Sequence, residues 1–347
     1  MQEEFEDIDN EENEEDELFE HYRFKVDPGQ EVLRIDKFLL DRLPNTSRNK
    51  IQFAAKNGNV LVNKETVKPN YRVKPGDEIS IVMPYPVREI ELIPENIPIE
   101  IHFEDEYLAI VNKPSNMVVH PGYGNYSGTL VNAMVYHFDN LPYRIQDYFG
   151  RPGLVHRLDK NTTGLMVIAK TEFALSNLAK QFADRTTERC YNALVWGDIE
   201  FDGTVTGHIG RSLKNRKVMT VFPEGEYGKH AVTHYKVLER FGLVTLIECK
   251  LETGRTHQIR AHLKHIGHPL FNDNEYGGDK IVRGTMHSKY KKFIENCFAL
   301  IPGQALHAKT LGFNHPYTQE DVQFDSELVE GFEKILEKWR TYTNEID

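Results

Sequence analysis

The sequence predicts an α+β protein with a small αα-ββ domain followed by a larger domain built on a mixed, mostly antiparallel sheet flanked by helices. Three observations lead there. Strand-like runs outnumber helix-like ones and are joined by short turns. Two helix patterns followed by two short strand patterns fall within about residues 32–83. Pro84, Pro86, Pro94 and Pro98 then punctuate a stretch that separates this segment from the rest. A chain of 347 residues is long enough for two cores. The expected organisation is an acidic disordered tail over 1–21, the small domain over 22–84, a linker over 85–98 and the larger domain over 99–347.

Taken in order, Tyr22 to Val26 predicts a short strand and Pro28-Gly29 a turn. Ile35, Phe38, Leu39 and Leu43 have helical spacing. Asn45-Thr46-Ser47 offers an N-cap for a second helix from Arg48 to about Asn57, burying Ile51, Ala54 and Ala55 and stopped by Gly58. Val60 to Asn63 and Ile79 to Val82 read as strands around the Pro75-Gly76-Asp77 turn. In the larger part, Leu108 to Lys113 is a strand stopped by Pro114. A helix is expected over Thr129–His137, a buried strand over Leu165–Ala169 and a helix over Glu172–Asp184. Arg189 to Gly197 reads as a strand, and 203–222 as a hairpin rich in Gly, Arg and Lys. His234–Leu238 and Leu243–Leu251 read as strands, and a helix opens after Gly254. No internal repeat is evident.

Composition narrows the function classes. A hydrophobic fraction of 39% with 11% aromatics fits a globular chain. No apolar run approaches 18 residues, and the acidic N-terminus lacks the apolar core of a secretory signal, so a cytoplasmic protein is expected. Cys190, Cys249 and Cys297 are far apart and form no Cys-x-x-Cys pair, as for thiols in a reducing compartment. The net charge of -11 is concentrated at one end. Residues 1–20 hold twelve Asp or Glu and no Lys or Arg, which leaves 42 basic against 41 acidic residues in the remainder. The tail reads as solvated, with an acidic mimic of RNA as the alternative. A body of that balance can still bind phosphates through local patches. No Gly-x-Gly-x-x-Gly or P-loop pattern appears, so no nucleotide cofactor is expected.

The chemistry-bearing segment is Gly153-Leu-Val-His-Arg-Leu-Asp-Lys-Asn-Thr-Thr-Gly164. In an extended chain, Arg157 and Asp159 point to one side, with the carboxylate at the mouth of a turn. A carboxylate with a basic neighbour suits acid/base or nucleophilic work on a polar substrate. An Asp after a strand also commonly braces a turn.

The order His156-Arg157-Leu158-Asp159-Lys160-Asn161-Thr162-Thr163-Gly164 resembles the signature of the RluA/RluD family of RNA pseudouridine synthases, with Thr163 where many members have Ser. Four further segments are similar to that family. Asp105-Glu106 leads to Asn112-Lys113-Pro114-Ser115-Asn116, with Asn116 in place of Gly; Asn tolerates left-handed backbone. Tyr191 lies in Arg189-Cys-Tyr-Asn-Ala-Leu-Val-Trp-Gly197. Leu251-Glu-Thr-Gly-Arg-Thr-His-Gln-Ile-Arg260 is followed by Gly267–Gly277, where Asn272 replaces Gly. Gln304-Ala-Leu-His-Ala308 precedes Phe313-Asn-His-Pro316. The small domain resembles the S4 RNA-binding domain through Arg34-Ile-Asp-Lys-Phe-Leu, Ser47-Arg48-Asn49-Lys50, Gly58–Asn63 and Val73–Asp77. Together the resemblance covers about 32–325 and is nearest to the RluD-type enzymes of the large ribosomal subunit.

The resemblance implies isomerisation of uridine to pseudouridine within RNA, with 23S rRNA as the expected substrate. Asp159 is the implied catalytic residue, whether it attacks the sugar, adds to the base or abstracts a sugar proton. Arg260 is implied to pair with Asp159 and position it, and Tyr191 to lie against the target base. Arg157 is implied to contact RNA backbone or to fill the space left by the extruded uridine. His156 and Leu251 belong to the implied substrate site, and Lys113, Arg255 and His257 are candidate phosphate contacts. Arg34, Ser47, Arg48 and Lys50 are the candidate RNA contacts of the S4 segment, the second helix placing Arg48 and Lys50 at its positive end. His257, His262, His265 and His268 have spacings a metal could use, but no Cys lies near them and the family uses no metal; neither metal nor cofactor is expected.

The expected partner is structured RNA, as rRNA or the pre-50S particle, with no membrane, no DNA and a monomeric chain. The alternatives are the same chemistry on tRNA or another rRNA stem-loop, or a catalytically idle RNA-binding assembly factor. A glycoside hydrolase would need a second carboxylate beside Asp159, and none carries a motif.

Overall fold

The computed structural model describes residues 19–43, 46, 48–83, 92–122, 124–142, 151–215, 218–285 and 287–344. Residues 1–18 of the expected tail, the loop residue Ser47 and the side chain of Lys50 lie outside that set. The chain divides into two compact units, with the boundary between Glu91 and Leu92.

The first unit contains β1 (Phe19–Lys25), β2 (Leu33–Arg34), α1 (Ile35–Leu40), α2 (Arg48–Lys56), β3 (Val60–Val62), β4 (Glu65–Thr66), β5 (Arg72–Val73) and β6 (Glu78–Met83). Four strands form one sheet in the order β1-β6-β3-β4, and β2 pairs with β5. Ile35, Phe38 and Leu39 of α1 and Ile51 of α2 close a core with Val60, Val73, Ile79 and Ile81. The two helices and two principal strands match the αα-ββ expectation. The two-residue strands are too short to leave a period in the sequence. The expected tail of 1–21 overlaps a strand: Phe19 and Glu20 pair with Met83 and Val82. Buried Asp77 accepts from the Lys74 N–H at 2.8 Å, Tyr71 Oη at 3.0 Å and Asn63 Nδ2 at 3.1 Å, which fixes the turn before β6.

The second unit runs β7 (Glu100–Glu104), β8 (Leu108–Lys113), α3 (Leu130–His137), β9 (Thr163–Ala169), α4 (Glu172–Asp184), β10 (Glu188–Trp196), β11 (Gly203–Arg211), β12 (Met219–Phe222), β13 (Lys229–Arg240), β14 (Val244–Leu251), α5 (Gln258–His265), α6 (Ser288–Phe298), β15 (Leu306–Asn314), β16 (Asp321–Asp325) and α7 (Glu330–Asn344). The sheet has ten strands in the order β12-β11-β13-β14-β10-β15-β9-β8-β7, with β16 also on β15. All its pairs are antiparallel except β9 with β15. This is the mixed, mostly antiparallel sheet the sequence predicts.

Central β9 is buried along its whole length, so its sequence is a continuous apolar run rather than an alternating one. The Thr171 side chain caps α4 by accepting from the Ala174 N–H, and Arg185 ends it at φ 61°. The start of the unit is earlier than the expected linker allows. Leu92, Ile97 and Ile99 pack on its main core, and Asn132 of α3 donates from Nδ2 to the Ile93 carbonyl. Pro94 and Pro98 therefore punctuate an extended segment bound to the domain, not a free tether.

Candidate active site

The segment before β9 is extended through Asp159 and turns at Lys160-Asn161. The Asp159 carbonyl accepts from the Thr162 N–H at 3.1 Å. Three side chains grip the turn from below: Lys113 Nζ donates to the Lys160 carbonyl at 3.0 Å, Ser115 Oγ to the Asn161 carbonyl at 3.1 Å, and Gln304 Nε2 to Thr162 Oγ1 at 3.2 Å. Gly164 follows at φ 108°, where a Cβ would sit 2.3 Å from the Ala308 carbonyl oxygen. That close approach of β9 to β15 explains the glycine in the motif.

Arg260 sits in the first turn of α5 and is buried. Its Nε and Nη2 donate to the two oxygens of buried Asp273 at 2.7 and 2.8 Å, and Nη2 also reaches Glu275 at 2.6 Å. Nη1 is left to donate to Asp159 Oδ2 at 3.3 Å. Burial works against the guanidinium, but Asp273 first, then Asp159 and Glu275, hold it charged and well above its ordinary pKa. Asp159 Oδ1 accepts no hydrogen bond from any described residue. His257 Nε2 stands 3.8 Å from it. Burial pushes the His257 ring below its usual range, with Asp159 opposing.

A cavity of about 470 Å³ opens over Asp159. Tyr191, held on β10 between Cys249 of β14 and Ala308 of β15, forms one wall. Burial raises the pKa of its phenol, and nearby Arg189 opposes this. His156, Arg157, Leu251, Arg255, His257 and Arg260 also line the cavity, so Asp159, Tyr191 and Arg260 share one cleft with most of the substrate residues expected from sequence. Arg157 is exposed on the same extended segment as Asp159, and Arg255 donates from Nε to the His230 carbonyl at 3.1 Å.

One expectation is corrected. Lys113 is no phosphate contact: its side chain is fully buried and Nζ donates to the carbonyls of Pro114, Met117 and Lys160 at 2.7, 2.9 and 3.0 Å. Burial pushes its ammonium down to about 7, against the pull of Asp159. His156 lines the cleft. Its Nε2 accepts from the Val167 N–H at 3.1 Å, its ring stacks on Phe182, and burial, reinforced by Arg189, pushes it down to about 3. It is a neutral wall of the cleft.

In the S4-like unit, Arg34 and Arg48 both grip buried Asp36, at 3.0 and 2.9 Å, and Gln52 joins them at 2.6 Å. Each arginine side chain keeps about two fifths of its surface exposed. They form an anchored pair rather than free surface cations.

Sequence reasoning missed Asp273, Glu275 and Arg189. The first two lie inside the Gly267–Gly277 segment, and a buried Arg260 calls for such acids. Asn116 and Asn272 adopt φ 61° and 63°, the left-handed conformation of the glycines they replace. Asn272 adds donors to the Phe298 and Ile301 carbonyls. His262 bonds Thr233 and His268 bonds the Trp196 carbonyl, so these rings turn to different partners. Among the described residues no helix is long and apolar enough to cross a membrane.

Residues 107–265 match the family model for RNA pseudouridylate synthase and residues 33–79 that for the S4 domain. A protein of Chlorobaculum parvum called an uncharacterized RNA pseudouridine synthase is 48% identical, over 91% of this chain and 97% of the relative. The ribosomal large subunit pseudouridine synthase D of Zymomonas mobilis is 40% identical, over 87% of this chain and 92% of its own length. Among solved structures, human RNA pseudouridylate synthase domain containing 4 superposes with a TM-score of 0.53 at 26% identity, over 70% of this chain and 93% of that one. An S4 domain joined to a sheet domain with one carboxylate in its cleft is the layout of an RNA-modifying isomerase. The chain belongs to the RNA pseudouridylate synthase family, whose members isomerise uridines in RNA.

Proposed function

We propose that this chain converts specific uridines of large-subunit ribosomal RNA to pseudouridine, acting as a cytoplasmic monomer on rRNA or the pre-50S particle, with Asp159 as the catalytic carboxylate. The observation that carries this is the division of labour at Asp159: Oδ2 is held by a buried, doubly clamped Arg260, while Oδ1 accepts no hydrogen bond from the described residues and is left to meet a nucleoside in the cleft. The relatives named large subunit pseudouridine synthase D support the choice of RNA.

The reaction breaks the bond between the ribose and N1 of uracil, turns the base and rejoins it through C5, which gives up its proton to solvent while N1 takes one up. A fixed carboxylate serves each way of drawing that step, because every one needs an oxygen lone pair aimed at the nucleoside. The Arg260 clamp supplies the orientation before substrate arrives. Tyr191 gives an aromatic face for the base, worth about 1–3 kcal/mol of stacking, and excludes water. Arg157, exposed at the rim, occupies the space of the extruded uridine or meets the backbone, and Leu251 forms the apolar floor. Arg255 and His257 act as polar contacts to RNA. Arg34 and Arg48, with Ser47 and Lys50, bind RNA through the S4 unit.

The test is pseudouridine mapping of large-subunit rRNA from a strain lacking the gene. Specific sites should be lost, restored by the wild-type chain and not by Asp159→Ala. An unchanged rRNA map with lost sites in tRNA would move the substrate; no lost site in any RNA would reject the reading.

A further inference from the structure

One buried cation in the cleft has no hydrogen-bond or ion-pair partner among the described residues. Arg189 lies two residues before Tyr191 on β10 and so projects from the same face of the sheet. It is 9% exposed and lines the cleft. Its buried Nε has no hydrogen-bond partner, and the guanidinium makes no ion pair with any described residue. Its one described neighbour of note is the Phe182 ring, 5.4 Å from the guanidinium carbon. A buried charge is ordinarily paired, as Arg260 is by Asp273 and Glu275. Asp159, the only acid among the described residues lining the cleft, pairs with Arg260 and not with Arg189.

The surroundings suit an incoming anion. Arg157, Arg185 and Arg255 line the same cleft. Gly254 leaves the space: a Cβ there would stand 3.0 Å from Arg189 Nη1, and since its φ is not positive, backbone freedom does not account for this glycine. A planar fork of donors held without a carboxylate matches a phosphodiester, which accepts two parallel N–H bonds.

We propose that Arg189, with Arg185 and Arg255 at its rim, forms an anion subsite that receives a backbone phosphate of the RNA next to the uridine being isomerised. Arg189 is a binding and positioning residue here, completing its ion pair only when RNA is in place. The inference rests on the RNA reading of the cleft given above and adds the position of the phosphate.

The test uses the full-length chain, wild type, Arg189→Met and Arg189→Lys, with a large-subunit rRNA transcript. Equilibrium binding is measured over a salt series, together with tritium release from uridine labelled at C5. Arg189→Met should raise KM about 10- to 100-fold, with the loss falling on KM rather than kcat, and should reduce the salt slope of RNA binding by about one phosphate. Arg189→Lys should recover part of the affinity. The thermal midpoint of Arg189→Met should equal or exceed that of wild type, because an unpaired buried charge has been removed; a structural arginine would give a lower one. Equal KM and an equal salt slope in wild type and Arg189→Met would overturn the proposal. So would inhibition by inorganic phosphate, against chloride of equal ionic strength, that disappears in Arg189→Met while RNA affinity stays unchanged, because the site would then take free phosphate. If wild type releases no tritium, the isomerase reading fails, and the salt series still decides the subsite.

Discussion

Asp273 holds Arg260 from behind by a two-point grip and leaves a single nitrogen, Nη1, to reach Asp159 at 3.3 Å. The Asp159 carboxylate is thus aligned by an acid that does not line the cleft. Asp273→Asn removes one hydrogen-bond acceptor and the charge that keeps the guanidinium in place. We expect about a 10²-fold loss in kcat, a fall of about 1–3 kcal/mol in unfolding free energy, and RNA affinity close to wild type. Single-turnover rates and urea unfolding check this; full activity would show that Arg260 needs no such alignment.

Lys113 offers a contrast between two roles. As a buried clamp on the Lys160 carbonyl it positions the turn after Asp159. Lys113→Met should therefore destabilise the domain by about 1–3 kcal/mol and slow conversion, while leaving the salt dependence of RNA binding as it was. A salt slope reduced by one phosphate would restore it as an RNA contact.

Gly164 is the sharpest packing constraint in the motif. A methyl group there would overlap the Ala308 carbonyl, at a backbone angle that L-residues rarely adopt. Gly164→Ala should cost about 3 kcal/mol or more, read as a lowered urea midpoint. A neutral result would mean that the β9–β15 contact is looser than the structure has it.

Acid stability follows from buried His262 and His307 and half-buried His156. Burial pushes His156 down to about 3 and His262 and His307 to about 4, below the 6.5 of an exposed ring. Above pH 6.5 both folded and unfolded chains carry these rings neutral. Between 6.5 and about 4 the unfolded chain takes up protons that the folded one refuses, so stability falls as the pH falls. Each ring contributes a loss of about 3 kcal/mol by pH 4. His307 bonds Thr163 and Ser326, contacts an amide can imitate. His307→Gln should flatten the decline in urea midpoints between pH 7 and 4.5; an identical slope would contradict the assignment.

Much of this site was legible in the chain. The Asp159 turn, the Tyr191 strand and the Arg260 helix each leave a pattern, and α4 runs over the residues expected from sequence, Glu172–Asp184. What was not legible depends on burial. Lys113 and His156 have the residue types of RNA contacts, but three carbonyls claim one and an aromatic ring and a backbone amide claim the other. Arg34 and Arg48 look like free surface charges until Asp36 is found beneath them. The grip of Asp273 on Arg260 spans 13 residues and a change of chain direction, which no local period records.

The most direct measurement is tritium release from C5-labelled uridine in large-subunit rRNA transcript, made alongside RNA binding, for wild type and Asp159→Ala. The account expects stoichiometric release by wild type and none by Asp159→Ala, with both proteins binding RNA with similar affinity. Sustained release by Asp159→Ala would contradict the claim that this carboxylate carries the reaction.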